Sequence, residues 1–97
     1  MRIIFNEKKN ESNYSDHGYY LEDARNLDWD GMLVYEDDRV GYGEYRYVGI
    51  TYGIAHIGNQ MFSVCFTMPE DEDGVETYRI ISLRKATKVE IRKYAEA

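Results

Sequence analysis

The chain has 97 residues, 43% of them hydrophobic, and carries a net charge of −6 with a pI near 4.8. A chain of this length holds one modest hydrophobic core, so we expect a single domain over residues 1–97. The acidic balance argues against a protein that coats nucleic acid through bulk electrostatics, and the single cysteine excludes an intrachain disulfide.

Cysteine usage and hydropathy also bear on the compartment. One cysteine, Cys65, is typical of a chain from a reducing environment. The apolar run at 3–5 is too short for a signal peptide or a membrane span. We therefore expect a cytoplasmic protein with no membrane partner.

The first predicted elements are a strand and two helices. Residues 2–5 predict a short strand, and Asn6 predicts the cap of a helix whose first turn holds Glu7. That helix is expected to end at His17-Gly18, because glycine closes helices in the left-handed conformation. A second short helix is predicted over 20–26.

The middle of the chain predicts strands joined by short loops. Residues 36–39 and the acidic run 70–73 read as loops, the second ending in an Asp-Gly turn signal. Consecutive strands with short connections are typical of an antiparallel meander. The predicted strands cover 32–35, 44–52, 61–67 and 77–82.

Alternation assigns faces to the two longest predicted strands. In the first, the charged residues Glu44 and Arg46 share a face with core residues. The second divides into an apolar face with Phe62, Val64 and Phe66, and a small polar face with Ser63, Cys65 and Thr67.

A C-terminal helix is predicted after a cap at Ser82. Thr87, Ile91 and Tyr94 recur at helical spacing and predict the stripe that packs on the sheet. A second, basic stripe is either a solvated face or a surface for an anionic partner; it contains Lys85, Lys88 and Arg92. The predicted fold class is therefore α+β, with N-terminal helices, an antiparallel sheet of three to four strands and a C-terminal helix packed on that sheet.

Charge is unevenly distributed along the chain. Residues 1–75 carry six basic and 15 acidic side chains, whereas residues 76–97 carry six basic and three acidic ones. An anionic partner is therefore expected to meet the C-terminal part first.

Three segments carry motifs. The first is Asn6-Glu-Lys-Lys-Asn-Glu-Ser-Asn, followed by His17-Gly18 and Glu22-Asp23-Ala24. The second is Gly43-Glu44-Tyr45-Arg46. The third is Arg79-Ile-Ile-Ser-Leu-Arg-Lys-Ala-Thr, which continues through Glu90 to Tyr94. Together and in this order they resemble the BrnT toxins of bacterial type II toxin-antitoxin systems, with Leu83 where the family signature has Ala.

The resemblance implies a small ribonuclease with a RelE-like α+β fold, which cleaves RNA without a metal ion or cofactor and so inhibits translation. It also implies a ribbon-helix-helix antitoxin that holds the toxin inactive and binds the operon's promoter. The expected partners are that antitoxin and the RNA substrate, with operator DNA reached only through the antitoxin.

Metal-free RNA cleavage needs a base for the ribose 2′-hydroxyl, cations for the charge on the phosphorane and an acid for the leaving oxygen. Within the matching motifs, His17 or Glu44 is expected to act as the base. Arg46 and Arg79 are assigned to the phosphate, and Tyr94 to the acid or to base stacking. The RNA backbone is expected to meet a further basic group, Arg84, Lys85, Lys88 and Arg92.

These assignments compete with structural roles. His17 could equally serve the end of its own helix, because a basic side chain in the last turn interacts favourably with the helix dipole. Glu44 and Arg46 could form an ion pair between strands, and Tyr94 could be a core residue.

The chain also departs from the family pattern. Asp16 precedes His17 where the family has Lys, and Thr67-Met68-Pro69 with the acidic residues 70–73 stands where the family continues with Arg. Both changes remove attraction for phosphate. Two further functions therefore stay open: a catalytically silent binding module of the same fold, and a regulatory subunit that holds a DNA-binding antitoxin on its operator.

Other kinds of site find little support. Two histidines and one cysteine give no zinc spacing, and the acidic run 70–73 lacks the ligand pattern of a calcium loop. Cys65 alternates with apolar neighbours and is interpreted as a structural thiol. No metal site is expected.

Overall fold

One five-stranded sheet forms the centre of the protein. The structure is a computed structural model and describes residues 1–37, 43–69 and 73–97. Two short 3-10 helices, Leu21–Asn26 and Ala55–Ile57, lie in the connections. The other elements are β1 (Arg2–Ile4), α1 (Glu7–His17), β2 (Leu33–Asp37), β3 (Arg46–Tyr52), β4 (Met61–Thr67), β5 (Thr77–Lys85) and α2 (Lys88–Glu96).

The strand order is β1-β5-β4-β3-β2, and the sheet is mixed. Strands β2 to β5 form the predicted antiparallel meander, whereas β1 pairs in parallel with β5. The prediction of an antiparallel sheet of three to four strands is therefore wrong in strand count and in the direction of β1. The reason is that β1 finds its partner across most of the chain, and no local turn signal reports such a pairing.

The hydrophobic core lies on one face of this sheet, under α1 and the Leu21–Asn26 helix. The predicted apolar face of β4 is confirmed, because Phe62, Val64 and Phe66 are all buried there. Leu21 and Leu83 are fully buried against them. Burial of large apolar side chains, each worth roughly 1.5–3 kcal/mol, anchors the helices to this face.

Helix α1 begins and ends as predicted. The Asn6 side chain accepts a hydrogen bond from the Lys9 backbone N–H at 3.2 Å, which caps the first turn. Gly18 closes the helix in the left-handed conformation, with φ of 82°, and its N–H donates to the Tyr14 carbonyl at 2.8 Å. The second predicted helix is present as the 3-10 helix Leu21–Asn26.

Two buried asparagines attach the polar helix α1 to the core. The Asn10 side-chain oxygen accepts from the Leu21 N–H at 2.6 Å. The Asn13 amide donates to the Leu83 carbonyl at 2.8 Å and accepts from the Leu83 N–H at 3.1 Å. Because β1 pairs only with residues 77–79 of β5, the Asn13 amide takes the place of a strand neighbour at Leu83.

The C-terminal helix begins later than predicted. Ser82 does not cap it, because β5 stays paired with β4 as far as Lys85. Thr87 is the N-cap and forms a capping box with Glu90. Helix α2 packs on the sheet, as expected, but on the face opposite α1.

The inward stripe of α2 also differs from the prediction. Glu90 is the buried residue of the helix at 9% exposure, whereas Ile91 is 41% exposed. Tyr94 is half-buried, and its ring meets the Tyr52 ring edge to face at a centroid distance of 5.7 Å. The helix register therefore follows the capping box rather than the Thr87-Ile91 apolar spacing.

Two strand boundaries also shift. Strand β3 begins at Arg46, and Glu44 lies before it in an exposed bend. Strand β2 extends through Glu36 and Asp37, which were predicted to lie in a loop. The rest of that predicted loop, residues 38–39, and the acidic residues 70–72 lie outside the described residues. No helix in the described ranges is long and apolar enough to cross a membrane.

Candidate active site on the open face of the sheet

The sheet face opposite α1, here called the open face, is lined by polar side chains. The predicted polar face of β4 is confirmed, because Ser63, Cys65 and Thr67 alternate with the core residues. Between Cys65 and Phe66 the pairing of β4 with β5 shifts by one residue, so that Ile81 forms a bulge. This bulge lets both Arg79 and Ser82 point to the open face, and bulges are common beside active sites.

Cross-strand pairing arranges these residues in rows. Tyr35 lies opposite Val48, Val48 opposite Cys65, and Cys65 opposite Ser82. In the next row Ser63 lies between Ile50 and Arg84. Side chains in one row are about 4.5–5.5 Å apart at Cβ, so each row brings together chemistry from distant parts of the chain.

Helix α2 closes one side of these rows and leaves a hollow of about 300 Å³, here called the polar hollow. Most of the residues that line the polar hollow carry hydrogen-bonding side chains. Its lining residues are Tyr35, Asp37, Val48, Ser63, Cys65, Ser82, Arg84 and Glu90.

An ion pair between Arg84 and Glu90 joins β5 to α2 at the edge of the polar hollow. Arg84 donates to both Glu90 carboxylate oxygens, at 2.7 and 3.1 Å. The Thr87 backbone N–H donates to the same carboxylate at 2.8 Å, and the Ser63 side chain also hydrogen-bonds to it. Burial by itself would raise the pKa of Glu90, but these hydrogen bonds outweigh it and lower the pKa to about 2.

Tyr35 is the aromatic group of the polar hollow. Burial raises the pKa of its phenol, the carboxylates of Glu90 and Asp37 raise it further, and Arg84 opposes them. The Lys93 ammonium lies over the ring, 4.7 Å from its centre. The phenol is therefore protonated throughout the physiological range.

A second polar row lies beyond the polar hollow, toward the opposite end of the strands. Asp37 pairs with Arg46 across β2 and β3, and Thr67 pairs with Arg79 across β4 and β5. Since Tyr47 pairs with Phe66, Arg46 and Thr67 are neighbours across β3 and β4. The Thr67 hydroxyl is buried and has no hydrogen-bond partner in the described part of the chain.

The structure thus brings three of the predicted arginines to one surface. Arg46, Arg79 and Arg84 all lie on the open face. Glu44 lies two residues before Arg46, in the exposed bend that leads to β3. The strand register places Asp37, rather than Glu44, opposite Arg46.

The other predicted residues lie further away or on the surface. His17 is exposed at the end of α1, which packs on the opposite face of the sheet. Tyr94 lines a separate shallow depression with Met32 and Leu33. The exposed basic residues around the start of α2 are Lys85, Lys88 and Arg92.

Of the residues that line the polar hollow, only Arg84 was predicted from the sequence as a site residue. The polar residues that were missed are Tyr35, Asp37, Ser63, Ser82 and Glu90. Glu90 had a usable signal, because a Thr followed three residues later by Glu is the pattern of a capping box. Tyr35 had a weaker one, since strand alternation places it two residues from Asp37 on the same face. The two serines acquire their place only through the pairing of β4 with β5.

The arrangement suits an anionic substrate more than a metal ion. In residues 1–37, 43–69 and 73–97, no three His, Cys, Asp or Glu side chains cluster closely enough to bind a metal. Planar guanidinium groups can each engage two oxygens of a phosphate. Hydroxyl groups at Tyr35, Ser63 and Ser82 add hydrogen-bond donors beside them.

Comparison with known proteins gives the family. No curated protein matches the chain. A family model described as the ribonuclease toxin BrnT of the type II toxin-antitoxin system matches residues 5–90, which include every strand of the sheet except β1. The chain therefore belongs to the BrnT family of type II toxin-antitoxin ribonuclease toxins.

Proposed function

We propose that this chain is a cytoplasmic endoribonuclease that cleaves RNA on the open face of its sheet, without a metal ion, and thereby inhibits translation. Family membership supports the reaction class and an antitoxin partner. The observation that carries the proposal is that Arg46, Arg79 and Arg84 share one face of the sheet. Arg84 lines the polar hollow with its hydroxyl groups, and the other two arginines lie in the polar row beside it.

The two arginines of the outer row are assigned to the scissile phosphate. Arg46 and Arg79 flank Thr67 on neighbouring strands, so a phosphate above Thr67 could meet both guanidinium groups. Charge that develops on the phosphorane is stabilised most by such preorganised donors.

Glu44 is the favoured base of the two proposed from the sequence. It lies two residues from Arg46, at the end of the open face where the phosphate is assigned. His17 ends a helix that packs on the other face, so its use would require the RNA to reach around the sheet edge. We assign Tyr94 to base stacking, because it lies beside Tyr52 at the far end of α2.

The incoming RNA backbone is assigned to the start of α2. Lys85, Lys88 and Arg92 are exposed there and carry positive charge in an otherwise acidic chain. Arg84 is partly neutralised by Glu90, so we assign it to the wall of the site as well as to RNA. Exposed lysines of this kind supply salt-sensitive, sequence-independent affinity.

The partner proposed for the toxin is a ribbon-helix-helix antitoxin, through which the complex reaches operator DNA. A type II antitoxin follows from the family; its fold class and the DNA contact are our proposals. A RelE-like fold is proposed on the same basis, and the α+β architecture is compatible with it.

A second function is favoured by one specific observation. Two of the three arginines face carboxylates, Arg84 in a bidentate pair with Glu90 and Arg46 in register with Asp37. If these carboxylates outcompete RNA phosphate, the chain is a catalytically silent binding module that acts through protein contacts.

In vitro cleavage separates the two functions. The purified protein is incubated with end-labelled single-stranded RNA in excess EDTA. A parallel reaction contains an oligonucleotide of the same sequence with 2′-deoxy sugars. The proposal expects fragments that end in a 2′,3′-cyclic phosphate from the RNA and none from the deoxy control. Intact RNA would favour the binding module, and cleavage only after Mg²⁺ is restored would contradict metal independence.

Translation is tested in a bacterial host. Induced expression is expected to stop incorporation of labelled amino acids, and co-expression with the adjacent antitoxin frame is expected to restore it. Normal incorporation by a folded, soluble toxin would contradict inhibition of translation.

A further inference from the structure

We infer that Tyr35 is the general acid of the reaction, the residue that gives a proton to the leaving 5′-oxygen. This inference rests on the proposed ribonuclease function and adds a catalytic residue outside the motifs that indicate the family. It starts from the geometry of the polar hollow, where Tyr35 lies next to the row that carries Arg46.

Groups on β2, β3 and α2 surround the Tyr35 side chain. Strand pairing places Tyr35 opposite Val48, at the hollow's open edge on β2. From α2, Lys93 lies over the ring at 4.7 Å and Glu90 forms the facing wall. Asp37, two residues along β2, continues the same face toward the proposed phosphate position.

The other groups of the hollow are poorly suited to donate a proton. Glu90 is ionised at neutral pH, because its pKa is about 2. Arg84 holds its proton too tightly to transfer it. Cys65 is only 7% exposed, in the middle of the sheet. Tyr35, by contrast, is half-buried and lines the hollow with a phenol that carries its proton at neutral pH. It can give that proton to the leaving alkoxide, because an alkoxide is a stronger base than a phenolate.

Cleavage is a transesterification, in which one phosphate ester bond forms and another breaks. The 2′-oxygen forms a bond to phosphorus and loses its proton to the base, for which Glu44 is proposed. The bond from phosphorus to the 5′-oxygen breaks, and its electron pair stays on that oxygen, which takes the Tyr35 phenolic proton. The products are a 2′,3′-cyclic phosphate and a 5′-hydroxyl. Arg84 stabilises the transient tyrosinate until it regains a proton from water.

Tyr94, the acid considered from the sequence, is less well placed. It meets Tyr52 at the far end of β3 and lines a depression with Met32 and Leu33. That depression lies at the opposite end of β3 from Arg46. Tyr35 lies two residues from the partner of Arg46, so the phosphate and the phenol can belong to one site.

The test uses two RNA substrates and three variants. One substrate is ordinary RNA; in the other, sulfur replaces the 5′-oxygen at a single cleavage position, so that the leaving group needs no proton. Tyr35→Phe removes only the hydroxyl. Tyr94→Phe tests the competing acid, and Tyr20→Phe is a control on the other side of the molecule, where its ring stacks on Tyr14 at 4.3 Å.

Tyr35→Phe is expected to slow ordinary RNA cleavage by about 100-fold or more and to cleave the sulfur substrate within about threefold of the wild-type rate. Tyr20→Phe is expected to match wild type on both substrates. Circular dichroism melting checks that each variant is folded.

Three results would overturn the inference. Equal slowing of Tyr35→Phe on both substrates would show a positioning role, and wild-type rates on both would remove Tyr35 from the mechanism. A loss confined to ordinary RNA in Tyr94→Phe would move the acid to that residue. If wild type cleaves neither substrate, the proposed function itself fails, which is distinct from a failure of Tyr35 alone.

Discussion

Glu90→Gln is expected to destabilise the protein at neutral pH and to lose that effect in acid. Glu90 is 9% exposed, and its carboxylate receives hydrogen bonds from Arg84, Thr87 and Ser63. These bonds join α2 to β4 and β5, so the substitution weakens the attachment of the C-terminal helix to the sheet. The effect should be global, because β4 is the central strand of the sheet and β5 is its neighbour.

The magnitude follows from the pKa of Glu90. A fall from 4.5 to about 2 corresponds to about 3 kcal/mol of stability at neutral pH. A carboxyl group whose pKa is lowered by folding stabilises the folded state above its unfolded pKa, and this contribution disappears as the pH falls through the folded pKa. Linkage then predicts a loss of about 0.8 kcal/mol by pH 4 and about 2 kcal/mol by pH 3.

Urea denaturation at pH 7, 4 and 3, followed by circular dichroism, measures this dependence. Glu90→Gln is expected to lower the free energy of unfolding by about 2–3 kcal/mol at pH 7, because Arg84 is partly exposed and water takes over part of its interaction. The difference from wild type should shrink to about 1 kcal/mol or less at pH 3. Glu96→Gln, on the exposed last turn of α2, is the matched control and should change little at any pH.

A constant difference between wild type and Glu90→Gln from pH 7 to pH 3 would refute the reasoning. It would mean that the carboxylate charge is not stabilised by folding and that the substitution acts through packing alone.

Three further stability predictions can be checked by the same denaturation assay. Asn13→Ala should cost about 3 kcal/mol, because it removes both hydrogen bonds to the Leu83 backbone and leaves those groups unpaired; a cost under about 1 kcal/mol would contradict this role. Gly53→Ala should cost about 2 kcal/mol or more, since a Cβ there would overlap the Ile57 carbonyl oxygen. An unchanged urea midpoint of unfolding would show that the loop moves to accommodate the methyl group. Thr87→Ala should cost about 1 kcal/mol through loss of the helix cap, and no loss would argue against the capping box.

Local signals predicted much of the fold. The cap at Asn6, the left-handed Gly18 and the faces of β4 depend on neighbouring residues only, so a sequence pattern is sufficient to identify them. The same holds for the antiparallel order of β2 to β5, which short connections favour.

Long-range pairing was the part that sequence could not provide. Strand β1 pairs with β5 in parallel, and Asn13 reaches Leu83, 70 residues away, to complete the edge of β5. Asn10 and Asn13 belong to the motif that indicates the family, yet both are buried and act structurally. A motif therefore reports which residues matter in a family without saying whether they bind, catalyse or pack.

The start of α2 shows how two valid local signals can compete. Ser82 and Thr87 are both acceptable caps, but residues 83–85 gain more by pairing with β4. Strand β5 therefore continues, and Arg84 lies on the sheet instead of on a helix face. This shift puts its guanidinium beside Glu90 in the polar hollow, an arrangement that helical spacing did not predict.

The most direct test of the proposed site is the rate of RNA cleavage by an Arg46→Ala, Arg79→Ala double variant. Arg84 is left intact, because its removal would also disturb Glu90 and α2. Arg25→Ala, an exposed arginine in the Leu21–Asn26 helix on the other face, is the matched control for loss of positive charge. With the variants folded, the account predicts a loss of about 100-fold or more in the double variant and a rate near wild type in the control. Equal rates in the double variant and wild type would place the active site somewhere other than the open face.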